Sequence, residues 1–171
     1  MKKYFILALV AAIFCFTNSC TRDDICPENT QTTPKLVIEF YDIEFPEQPK
    51  SVPRINVFAD GIYEDYFEVS EDKSSITIPL NTTENFTTYK FIRNSNLPID
   101  SDLVSNIDEI KFTYAVNLSY VSRACGYKAE FLNLNAVLVS ESNSSNWIKG
   151  IEVRQPNNIL NEEDAHIYIY H

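Results

Sequence analysis

From Lys35 onward, apolar and polar residues alternate with period two, the spacing that sends every second side chain to one face of a β-strand. Leu36, Ile38 and Phe40 fall on one face, with Glu39 and Tyr41 on the other. Ile55 to Phe58 is a shorter candidate. Ile76, Ile78 and Leu80 alternate with Thr77 and Pro79, and the proline directs that strand to a sheet edge because it cannot donate to a ladder. Tyr89 and Phe91 flank Lys90. The longest run takes Ile110, Phe112, Tyr114, Val116, Leu118 and Tyr120 in phase, which outlasts an ordinary strand and predicts a bulge or bend inside it. Leu132, Leu134, Ala136 and Leu138 form a further phase, followed by Ile151 with Val153 and Ile167 with Ile169. Turn-forming segments rich in Pro, Asn, Asp and Ser separate these runs, and no long stretch carries the 3.6 period of a helix. Seven or eight strands so spaced predict an all-β domain, a single antiparallel β-sandwich of immunoglobulin-like or related type. A small β-barrel is the alternative, since periodicity is blind to closure.

The first residues follow another pattern. Lys2 and Lys3 precede 13 apolar or aromatic residues, Tyr4 to Phe16. That is the charged and apolar order of a secretory leader, and it falls short of the roughly 20 residues that span a bilayer. Thr17-Asn18-Ser19-Cys20 follows and resembles a bacterial lipobox, although Thr17 stands where leucine is usual. The expected organisation is a signal peptide at 1–19, a lipidated tether at 20–34 and a β-domain at 35–171. The other reading is ordinary secretion that leaves Cys20 as a thiol. Acylation matters physically because each buried methylene contributes about 0.8 kcal/mol, so two or more chains hold a protein on a membrane where one does not.

Charge narrows the function classes. The chain has 14 Lys+Arg against 24 Asp+Glu, a formal −10, and loss of Lys2 and Lys3 with the leader takes it to −12. Neutralising phosphates needs the opposite balance, so no nucleic-acid partner is expected. Two His and three Gly give little material for a metal centre or a phosphate loop, and no cofactor is expected.

Four cysteines sort by position. Cys15 leaves with the leader and Cys20 takes the lipid, so Cys26 and Cys125 remain. In an oxidising envelope a disulfide between them is the default. A buried free Cys125 is the rival, and a redox site lacks the second thiol of a C-x-x-C pair. Cys26 lies six residues past Cys20, so a bridge there sets the staple within roughly 20 Å of the acylated residue.

Asp23-Asp24-Ile25-Cys26-Pro27 with Leu36 to Asp42, and Tyr120-Val121-Ser122-Arg123-Ala124-Cys125-Gly126-Tyr127-Lys128, resemble a family of small uncharacterised lipoproteins of the Bacteroidota, chiefly flavobacteria. Ile159 to Glu162 and His166 to Ile169 are similar too, whereas 56–102 carries no family motif. The resemblance implies an envelope lipoprotein and no activity. The acidic pair after Cys20 also resembles that phylum's surface-export signal, with a solvated charge pair as the plain alternative.

Candidate chemistry is thin. Arg123, in the Arg-Ala-Cys-Gly-Tyr turn, can meet a partner's carboxylate, or the turn can simply be shaped by Gly126 with Tyr127 packed inward. Trp147, after the polar run 140–146, can form a partner surface or enter the core. Asn161 to His166 gathers oxygens and an imidazole, but without the spacing of a calcium loop it reads as an acidic turn. No G-x-S-x-G elbow and no metal or catalytic residue is assigned. The reading is an outer-membrane lipoprotein, periplasmic or surface-facing, non-enzymatic, that binds an envelope protein or glycan. A purely structural envelope protein is the second hypothesis, and a hydrolase on a β scaffold the third.

Overall fold

The computed structural model describes residues 25–59, 71–98, 101–139 and 146–171. Cys20 and the leader lie outside the described residues. Among the described residues eight strands form: β1 Leu36–Tyr41, β2 Asn56–Ala59, β3 Ser75–Ile78, β4 Phe86–Arg93, β5 Asn106–Ser122, β6 Gly126–Leu138, β7 Gly150–Val153 and β8 Ile167–Tyr170. They make two four-stranded sheets, ordered β3-β1-β8-β7 and β2-β4-β5-β6. Neither sheet closes on itself, so the sandwich expectation holds over the barrel. By contact the chain falls into two units: Gln31–Ser119 with Lys128–His171 carries the sandwich, and the segment ending at Thr30 groups with Tyr120–Tyr127.

The sandwich follows from the alternation. Leu36, Ile38 and Phe40 of β1 and Ile167 and Ile169 of β8 are fully buried, and so are Phe91, Ile110 and Phe112 of the other sheet. Each large apolar side chain so buried contributes about 1.5–3 kcal/mol relative to exposure. Pro79 follows β3 directly, and β3 is an edge strand, as its proline requires. One pairing departs from the antiparallel expectation. β1 and β8 run parallel, with Ile38 opposite Ile167 and Phe40 opposite Ile169. Alternation is identical for parallel and antiparallel partners, so only the tertiary arrangement reveals it.

The phase break lies in a different strand from the one expected. β5 runs unbroken for 17 residues, keeping Asp108, Ile110, Phe112, Tyr114 and Val116 on the inner side. In β6 the inner side is held first by Ala129 and Phe131, then by Leu134 and Ala136, so one extra residue intervenes. Asn133 takes φ 56°, the left-handed region that asparagine tolerates better than most residues. Its N–H donates to Asn158 Oδ1 at 3.0 Å, and Phe131 bridges to Ile159 on the same edge. The reset of phase and the left-handed Asn133 within it are the marks of a β-bulge. Leu132, expected inside, is therefore turned away from the core.

Candidate functional site

Trp147 is a core residue, which corrects its reading as a partner surface. It is 4% exposed, its indole N–H donates to the Phe91 carbonyl at 3.1 Å, and its ring meets His171 edge-on at 5.7 Å. The next residue, Ile148, donates its N–H to the buried carboxylate of Asp108 at 2.7 Å. The segment that enters β7 of one sheet thus bonds to β4 and β5 of the other, clipping the two layers together. Burying a large indole with its one polar atom satisfied outweighs the polar run before it.

The acidic turn is also accounted for structurally. Glu162 Oε1 accepts the Lys35 N–H at 2.8 Å, and Asn161 Oδ1 accepts the Glu163 N–H at 3.1 Å. His166 Nδ1 accepts the Val37 N–H at 3.0 Å, while the His166 backbone N–H donates to the Val37 carbonyl at 2.9 Å. Among the described residues no group of three or more His, Cys, Asp or Glu side chains could hold a metal. Burial pushes His166 below its ordinary value near 6.5, and burial does the same to His171. A depressed histidine is neutral in the fold and charges more readily when unfolded. Its stabilising contribution is therefore present above about pH 6.5 and is lost as pH falls below that value toward the lower folded-state pKa. The urea midpoint is expected to fall from about pH 7 to about pH 5, before carboxylates titrate. His166→Asn keeps an acceptor for Val37, so the fall should be shallower; an identical pH profile in parent and variant would contradict this.

Two surfaces combine aromatic rings with charge. On the outer face of the first sheet, parallel register sets Tyr41 beside Tyr168 and Tyr170, at centroid distances of 4.7 and 6.1 Å. Arg154 lies over the Tyr168 ring at 4.6 Å and pairs with Glu152 at 2.7 Å. Tyr170 donates to Glu152 at 2.9 Å, and Tyr41 donates to Glu39 at 2.8 Å. That bond to Glu39 raises the Tyr41 pKa, since loss of its proton would set two anions together. Glu152 is held below its usual range by the hydrogen bonds from Arg154 and Tyr170. Asp42 and Glu71 are likewise lowered, by Lys50 and Lys73. The face thus offers half-covered rings, hydroxyls and carboxylates, groups suited to recognition. The outward phase of Tyr168 and Tyr170 was the signal in the sequence; their meeting with Tyr41 depended on the parallel pairing.

The second surface is the turn joining β5 to β6. Cys26 and Cys125 are disulfide-bonded, with S–S 1.99 Å and Cα–Cα 4.9 Å. Ser122 Oγ accepts the Cys125 N–H at 3.0 Å. Gly126 has φ 72° with open space where a Cβ would sit, so its role is conformational. Arg123 is exposed at the turn. Tyr127 is not packed inward as expected. It is 68% exposed and meets Tyr120, 60% exposed, edge-on at 5.4 Å.

A pocket of about 380 Å³ opens between β2 and β3, with Lys35 and Lys73 beside Ile55, Val57 and Ile76. Ile55 and Val57 are buried in the core, and Lys73 pairs with Glu71 at 2.8 Å. Residues 55–171 match the model of a family of unknown function, DUF6452. No curated protein and no solved structure matches the chain.

Proposed function

We propose a function from the chain's own residues, because it belongs to a family of unknown function, DUF6452. The protein is a lipoprotein of the Bacteroidota outer membrane, acylated at Cys20, and it works as a non-catalytic binding or assembly module. The observation that carries this reading is the Cys26–Cys125 disulfide. A bonded pair on an exposed turn belongs to an oxidising compartment, which the leader and Ser19-Cys20 would reach. The tyrosine and carboxylate face built by Tyr41, Tyr168, Tyr170, Glu39 and Glu152 supports recognition of an envelope protein or glycan, since aromatic rings supply contact area and carboxylates supply acceptors.

Metabolic labelling with an alkyne palmitate analogue tests the anchor. The native chain should take up label and sediment with membranes. Cys20→Ala should lose both, while Cys15→Ala keeps both. Equal labelling of the native chain and Cys20→Ala would overturn the reading.

A further inference from the structure

We propose that the disulfide-bonded turn is a membrane foot: Tyr120 and Tyr127 seat in the headgroup region of a zwitterionic lipid surface, with Arg123 on lipid phosphates. Within this unit the two rings meet at 5.4 Å and share exposure of 60% and 68%, and Ile25 is 78% exposed. Tyrosine favours the membrane–water interface because its ring is apolar and its hydroxyl stays hydrated. Solitary exposed apolar residues need no explanation, but two large rings held together at a stapled turn are an organised surface.

Chain length identifies the occupant. The described residues start at Ile25, one residue before the bonded Cys26, whose Cα lies 4.9 Å from that of Cys125. Cys125 is in turn two residues from both Arg123 and Tyr127. Residue 20 is five residues before Ile25, a reach of at most about 18 Å. Any lipid that takes up an acyl chain on residue 20 is thus within reach of these rings. A mature chain of net charge −12, after Lys2 and Lys3 leave with the leader, is repelled by anionic lipid, so the surface is zwitterionic and contact is made through the rings. The foot adds a second point of attachment to the acyl anchor, which raises the local concentration of the rings at the lipid. It rests on the anchoring proposed above only for where the lipid lies.

The test supplies the tether chemically, so it does not depend on native acylation. The full mature chain, oxidised at Cys26–Cys125, is coupled through the Cys20 thiol to maleimide-phosphatidylethanolamine in phosphatidylcholine/phosphatidylethanolamine vesicles. The control is the same chain coupled to a water-soluble maleimide, with a free tyrosine peptide reporting the radical dose. Hydroxyl-radical oxidation of Tyr120 and Tyr127 should fall about fivefold on vesicles, as rings leave water for the interface. Unchanged oxidation of both rings would overturn the foot and leave the turn open to a protein or glycan. Failure of native acylation reads out separately, as loss of palmitate label with protection intact on the chemical tether.

Discussion

The Cys26→Ser/Cys125→Ser chain should unfold in urea at a clearly lower midpoint than the parent, corresponding to roughly 3–5 kcal/mol on the chain-entropy account. The bridge joins residues 99 apart, and the closed loop takes in β1 to β5. In the oxidised unfolded chain that loop remains closed, so fewer conformations compete with the fold. Removing the bond restores them without touching the sandwich core. The double variant is preferable to a single one because it leaves neither bridge partner as an unpaired thiol. Reducing agent should lower the parent's midpoint by a similar amount and leave the variant's unchanged. A variant with the parental midpoint would contradict the argument.

Trp147→Ala should cost about 3–5 kcal/mol, the range for truncating a buried aromatic residue. The substitution empties volume beside His171 and removes the hydrogen bond to the Phe91 carbonyl. Trp147→Phe separates these effects. It keeps most of the ring and loses the N–H, so it should cost about 1–2 kcal/mol, of which the lost bond is the main part. Were Trp147 a partner surface, both variants would unfold with the parental midpoint and lose only binding. Equilibrium urea unfolding followed by circular dichroism distinguishes the cases.

Half-burial explains what was legible in advance. β1 and β8 each bury one face completely, so Leu-x-Ile-x-Phe in β1 and Ile-x-Ile in β8 mark them plainly. The pairing of Cys26 with Cys125 was accessible by elimination once Cys15 and Cys20 had other fates. The reset in β6 was harder to see. Leu132 and Leu134 look continuous in phase, but Asn133 in the left-handed region shifts the inner face from Phe131 to Leu134. A signal was present in Phe131, a large apolar residue out of step with the proposed phase. For Trp147 the polar residues before it pointed to a surface and Ile148 after it pointed to the core, and the core reading is the one that holds. Tyr127 fails in the opposite sense: its alternation places it on a face, and no periodicity says whether that stretch of strand has anything to pack against. The tyrosine face depended on strand order and direction, which a pattern of single residues does not encode.

Intact-mass spectrometry of the protein isolated from envelope membranes tests the central claim most directly. The account predicts one mature species that starts at Cys20, carries acyl chains on that residue and lacks the two hydrogens of a Cys26–Cys125 bond. A species with residue 20 unmodified, or with both remaining thiols free, would contradict it.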